Sequence, residues 1–164
     1  RLVPYKRVDL AVQAFNELGL PLLVVGDGPS MNDLKRMAKK NITFLGNIPH
    51  ESLRGYLSNA RAFVFCAEED FGIVNVEAQA CGVPVIAYGR GGALETVVKG
   101  ETGLFYYFQK VPALINAVNE FLHKEEAFEP QRIRANAERF PRSRFEKEFK
   151  DFVDDAWERF PYKE

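Results

Sequence analysis

Apolar side chains fall along this chain in two alternating rhythms. Val8, Ala11, Val12, Phe15 and Leu18 recur at three-and-four spacing, which predicts a helix burying one face and closed by Gly19. The next apolar run, Pro21-Leu22-Leu23-Val24-Val25, is short and unbroken, as expected of a strand covered on both faces of a parallel sheet; Gly26-Asp27-Gly28-Pro29 ends it. A helix is predicted from about Ser30 to Lys40. The exchange then repeats as strand Ile42 to Leu45, helix Pro49 to Asn59, strand Arg61 to Cys66 and helix Gly72 to Cys81. It ends with strand Pro84 to Ala87, a short helix Ala93 to Val98 and a last short strand Thr102 to Tyr106. Strands alternating with helices pair in parallel through crossovers, so the pattern predicts a doubly wound parallel sheet of the α/β class.

Beyond Tyr106 the strand rhythm stops. Val111, Leu114, Ile115, Val118, Phe121 and Leu122 trace a helical stripe, and two more helices are predicted near Glu129 to Arg139 and Ser143 to Arg159. The last sets Phe145, Phe149, Phe152, Val153 and Ala156 on one side. The prediction is one domain over residues 1–164 with a C-terminal helical tail from about 111 to 164. A doubly wound sheet ordinarily opens on a strand. Only Leu2 and Val3 stand ahead of Pro4, so an opening strand cut short, or a preceding segment, is expected.

Composition narrows the classes. With 164 residues, 46% hydrophobic and 27% charged, the chain can bury one substantial core and is too short for two ordinary domains. No stretch approaches the roughly 18 apolar residues that span a bilayer, and no export signal is visible, so a cytoplasmic location is expected. The formal net charge of -1 leaves no footprint for nucleic acid. Cys66 and Cys81 sit in apolar surroundings, too few for a disulfide framework, and read as core residues.

Open parallel sheets bind ligands beyond the carboxyl ends of their strands. Four loops there carry unusual chemistry: Arg1 to Arg7, Gly26 to Ser30, Glu68 to Gly72, and Gly89 to Gly92. The strongest is Glu69-Asp70-Phe71-Gly72-Ile73-Val74-Asn75-Val76-Glu77, a strand-to-helix turn between two glutamates. A helix beginning near Gly72 turns the free amides of Gly72, Ile73 and Val74 toward a ligand, and its dipole favours an anion there. Glu77 lies roughly 7 Å further along the axis, at about 1.5 Å per residue. Two carboxylates so spaced suit sugar hydroxyls. Each feature also has a plainer reading. The glutamates alone read as a capping acid and a solvated helix face, Lys6 and Arg7 as surface charges, and Gly89-Arg90-Gly91-Gly92 as a bare loop. Gly26-Asp27-Gly28 lacks the third glycine of a dinucleotide fingerprint, since Met31 stands there. His50 and His123 read as cap or surface residues, and no metal-ligand spacing occurs.

Taken together, these motifs resemble the large group 1 family of retaining glycosyltransferases, which use nucleotide-diphosphate sugars and whose signature is an E-x7-E pair. Arg1-Leu2-Val3-Pro4-Tyr5-Lys6 is similar to the family's R-L-x-P-x-K loop, Val25-Gly26-Asp27-Gly28-Pro29 to its V-G-D-G-P turn, and Phe44-Leu45-Gly46 to its F-L-G. Glu77-Ala78-Gln79-Ala80-Cys81-Gly82-Val83-Pro84-Val85-Ile86, then Gly91-Gly92-Ala93-Leu94-Glu95-Thr96-Val97 and Thr102-Gly103-Leu104, continue the series. The resemblance implies the Rossmann-like C-terminal half of a GT-B fold, which binds the donor opposite an N-terminal acceptor domain that is not in this chain.

It implies roles as well. Arg1 and Lys6 would hold the diphosphate and neutralise it as the glycosidic bond breaks. Glu69 would hold the transferred sugar, and Glu77 the ribose hydroxyls. The amides of Gly72, Ile73 and Val74 would seat phosphate, the backbone from Gly46 to Ile48 would meet the base, Gly28 would allow close approach, and Gly91 and Gly92 would wall the donor site. Fixed cations and helix-terminal amides would do the work of a metal, so no cofactor is implied beyond the sugar-nucleotide substrate. Attack from the face of the departing diphosphate would retain configuration, so neither glutamate need be a nucleophile, a covalent intermediate being the alternative.

Asp70 replaces a common glycine, and Asn75 replaces a frequent proline on what reads as a helix surface. The Glu-Glu-Asp-Phe-Gly-Ile loop resembles most a mannosyltransferase subgroup that builds surface polysaccharides from GDP-mannose. Alternatives are a catalytically silent nucleotide-sugar-binding module and a sugar-nucleotide epimerase of the same build. Contact with a membrane is expected only peripherally, through the absent half.

Overall fold

The double-sided burial expected of these strands is visible residue by residue along β4 (Val85–Tyr88). Val85 and Ala87 pack into one apolar cluster with Phe65, Ala78 and Ala93, while Ile86 and Tyr88 pack into another with Leu104, Leu114 and Val118. Alternate side chains thus feed two cores, one on each face of the sheet, as the period of two requires. The structure, a computed structural model, describes residues 1–160. The last four residues of the expected tail lie outside the described residues.

The remaining strands are β1 (Leu22–Val25), β2 (Ile42–Gly46), β3 (Phe63–Phe65) and β5 (Gly103–Tyr106), and every observed pairing is parallel. They form two ladders, β1-β2 and β3-β4-β5. Helices α1 (Val8–Leu18) and α6 (Val111–Lys124) pack against each other over one face. Their residues Leu10, Val12, Phe15, Leu114 and Val118 join Val24 and Ile42 of the first ladder to Ile86 and Leu104 of the second, and to Cys66 just past β3, in a single core. α3 (His50–Ser58), α4 (Ile73–Ala80) and α5 (Ala93–Thr96) cover the other face through Leu57, Ala78 and Ala93. α2 (Met31–Met37) adds Leu34 to the first core, and α7 (Pro130–Ala137) lies against α4. This is the doubly wound α/β architecture expected.

Several boundaries are tighter than expected. β3 begins at Phe63 rather than Arg61, and β4 at Val85 because Pro84 has no N–H to give a ladder, although its carbonyl accepts from Phe63 N at 2.9 Å. No strand forms over residues 1–3. Instead Leu2 is buried, its N–H donates to the carbonyl of Asp27 at 2.8 Å, and Pro4–Lys6 makes one 3-10 turn. α8 (Arg142–Glu158) is a long helix, yet none of its residues is buried, and Phe145, Phe149, Phe152 and Trp157 are each more than half exposed. Among the described residues no helix is long and apolar enough to cross a membrane.

Candidate functional site

The first seven residues run over the carboxyl ends of the strands. Arg7 carries φ 51°, the one left-handed non-glycine residue among those described, and caps the start of α1. Its guanidinium donates to both carboxylate oxygens of Asp9 at 3.1 and 3.2 Å, and that pairing raises its pKa further. Arg7 is therefore already neutralised locally. Lys6 is turned the other way: its Nζ donates to Glu69 Oε1 in the loop after β3 and lies 5.4 Å from the centroid of the Tyr5 ring. Lost hydration lowers the pKa of Lys6, and the facing carboxylate opposes that loss by favouring the charged ammonium.

Backbone contacts also place Glu69. Gly92 N–H donates to the Glu69 carbonyl at 2.7 Å. A Cβ at Gly91 would strike that same carbonyl oxygen, and one at Gly92 would strike the α-carbon of Phe71. Gly91 and Gly92 thus brace the acidic loop from behind. Both stand directly behind the loop whose residues Glu69, Asp70 and Phe71 line the cleft.

Beyond the loop, Gly72 adopts φ 76° and starts α4, with its carbonyl accepting from Asn75 N at 2.9 Å. No side chain caps this helix, which leaves its first-turn amides and the positive end of its dipole for an anion. Lys6, Glu69, Gly72, Ile73, Val74 and Glu77 line one cleft of about 670 Å³, together with Tyr5, Glu68, Asp70 and Phe71. One expected cation, two expected carboxylates and the three expected amides are brought together here. Arg1 is not among them. It lines a second cleft of about 560 Å³ with Asp27, Gly28 and Asn47, the last followed in the chain by half-buried Ile48. The two cations therefore line different clefts.

Asn75 corrects the sequence reading most sharply. It is fully buried rather than on a helix surface, and neither its Nδ2 nor its Oδ1 has a partner among the described residues. The inward face of α4 is Asn75, Ala78 and Gln79. Gln79 Nε2 donates to the carbonyls of Asn75 and Thr96 at 3.0 and 2.9 Å, and Asn136 Nδ2 donates to Gln79 Oε1 and to the Thr96 carbonyl at 2.6 and 2.9 Å. This buried network ties α4 to α5 and α7 and so fixes the amides at the cleft. The i, i+4 spacing of Asn75 and Gln79 is its trace in the sequence. Among the described residues no group of His, Cys, Asp or Glu is arranged to hold a metal ion.

A family model for glycosyl transferases group 1 matches residues 1–140. The chain belongs to that family. It is 37% identical over 140 residues to a GDP-mannose-dependent alpha-(1-6)-phosphatidylinositol monomannoside mannosyltransferase of Mycolicibacterium smegmatis, covering 74% of this chain and 37% of that protein. It is also 31% identical over 152 residues to the N-acetyl-alpha-D-glucosaminyl L-malate synthase of Bacillus anthracis, covering 87% of this chain and 39% of that protein. Among solved structures, the sucrose-phosphate synthase of Thermosynechococcus elongatus superposes with a TM-score of 0.82 at 28% identity, over 94% of this chain and 43% of that one. Anabaena HepE, solved with UDP and glucose, gives a TM-score of 0.81 at 23% identity over 94% of this chain and 46% of that one, a likeness of fold. The Rossmann-like half of a GT-B architecture is thereby established. The chain spans less than two fifths of the length of these curated relatives.

Proposed function

We propose that this chain is the donor-binding half of a retaining glycosyltransferase that moves a hexose, mannose from GDP-mannose, to a glycan or lipid-linked acceptor. The observation that carries the reading is the Lys6–Glu69 ion pair set at the uncapped start of α4, with Glu77 in the same cleft. A diphosphate seated on the α4 amides takes Lys6 as its counter-ion and frees Glu69 to accept hydrogen bonds from the transferred sugar. Glu77, further along the helix, holds ribose hydroxyls. Charge develops on the leaving diphosphate in the transition state, where a fixed ammonium and oriented amides are most effective. The departing diphosphate accepts the acceptor's proton on the same face, configuration is retained, and the E-x7-E carboxylates bind rather than attack. Arg1 and Gly28 serve the second cleft, with Ile48 near the base, and no metal is required.

Relatives at 35–37% identity whose names specify GDP-mannose support the choice of base and sugar. Family membership favours transfer over the epimerase reading. The greater length of the relatives supports a second, acceptor-binding domain as the partner, through which any peripheral membrane contact is made. Calorimetric titration with GDP, UDP and ADP tests the assignment. GDP should bind most tightly, and saturable binding by none of the three would overturn it.

A further inference from the structure

We infer that Asn75 is a positioning residue for the diphosphate: a buried carboxamide whose donor end strengthens, from beneath, the anion seat at the start of α4. The inference rests on the donor-binding reading above and adds to it a residue that touches no ligand. Asn75 is fully buried, and neither its Nδ2 nor its Oδ1 has a partner among the described residues. Gln79, one turn further along the same inward face, shows how this fold uses an amide for cohesion. Its Nε2 donates to the backbone carbonyls of Asn75 and Thr96, and its Oε1 accepts from Asn136. The Asn75 side chain makes no such link. A buried amide without partners weakens a fold, and an apolar side chain of the same shape in its place is neutral or stabilising. Cohesion therefore does not account for Asn75.

Its neighbour on the cleft side does. The backbone N–H of Asn75 donates to the Gly72 carbonyl at 2.9 Å, closing the first turn of α4. Its side chain lies under the same glycine: a Cβ built on Gly72 would stand 2.8 Å from Asn75 Nδ2, and 3.6 Å from Asn75 Cγ and from Phe65 Cε1. The Nδ2 end thus leads toward Gly72. Gly72, Ile73 and Val74 line the cleft, and no side chain caps their helix. The positive end of the carboxamide therefore points the same way as the positive end of the helix dipole, toward the proposed diphosphate seat. Enclosed beside Phe65 with no surface in water, this dipole is unscreened. A donor bonded to a protein acceptor spends its field there. Left unpartnered, its field reaches the anion.

Titration of GDP, inorganic pyrophosphate and guanosine into the parent chain and Asn75→Leu, read beside urea midpoints, tests this. Leucine fills similar space and carries no dipole. It should raise the midpoint, weaken GDP and pyrophosphate each by about three- to tenfold, and leave guanosine unchanged. Stability and anion affinity then move in opposite directions, which packing alone does not produce. Should Asn75→Leu not fold, Asn75→Ala removes the same carboxamide and should weaken the two anions by one common factor, again sparing guanosine. Anion binding equal to the parent's would overturn the inference and leave the donor-binding reading in place. So would a lower midpoint in Asn75→Leu, or an equal loss for all three ligands, because either marks Asn75 as packing. A parent that binds pyrophosphate but not GDP, with pyrophosphate weakened in the variant, would overturn the nucleotide assignment and keep the role of Asn75. A parent that binds neither would overturn both.

Discussion

Two glycines separate the cost of space from the cost of conformation. Gly92 sits at φ −63°, where any residue is comfortable, but a Cβ would collide with the backbone of Phe71 and Asp70. Gly46 sits at φ +67° with nothing within 4 Å of a built Cβ. Gly92→Ala is expected to cost about 2–3 kcal/mol, because backbone cannot yield as a side chain can. Gly46→Ala should cost only about 1 kcal/mol, from the left-handed conformation alone. Urea midpoints at unchanged slope check both values, and the first change should also weaken GDP-mannose binding, since it displaces the loop that carries Glu69. Cys66 gives a second residue-scale test. Burial pushes its thiol up to about 11, so below that pH it stays protonated and enclosed. At pH 8 iodoacetamide should modify partly exposed Cys81 first, and Cys66 only at the rate of unfolding. Rapid native labelling of Cys66 would show a more open core than described.

At the scale of elements, the regular rhythm was legible and the exceptions were not. The strands around Val24, Ile42, Ile86 and Leu104 could be placed because double-sided burial leaves unbroken apolar runs. The turn at Pro4–Lys6 carries no such pattern, being held by Leu2 and Asp27 from outside itself. α4 misled for a clear reason. Its inward face is polar, and Gln79 is satisfied by partners 17 and 57 positions away in sequence, which no local pattern reveals. In the site, Lys6, Glu69, Gly72 and Glu77 were legible from motif order, whereas the separation of Arg1 and the bracing role of Gly91 and Gly92 depend on how loops stack. α8 carries its own prediction. Its aromatic stripe touches no core, and its ion pairs, such as Arg142–Glu146 and Arg144–Glu148, are exposed i, i+4 contacts. Phe149→Ser should therefore shift the stability of this chain by less than about 0.5 kcal/mol, as read from its urea midpoint. A loss of several kcal/mol would mean that the stripe is covered within the 1–164 chain itself.

For the molecule as a whole, the cleft couples ligand to fold. Lys6 comes from the start of the chain, Glu69 from the loop after β3, and Gly72 to Glu77 from α4, which the network through Gln79 and Asn136 fastens to the tail. A ligand that engages Lys6 and α4 together stabilises the native state by mass action and not merely one loop. At GDP about 100-fold above its Kd the gain is about 2.7 kcal/mol. For a chain of 164 residues that raises Tm by roughly 5–11 °C, at about 2–4 °C per kcal/mol. Removing the ammonium in Lys6→Ala takes away a charge-assisted contact and should weaken GDP about tenfold. At the same GDP concentration about 1.4 kcal/mol then remains, so the shift should fall to about half. Guanosine, which has no diphosphate, should give the same small shift in both proteins. A variant whose GDP shift equals that of the parent would remove Lys6 from the diphosphate site, and with it the link between the start of the chain and the helix it faces.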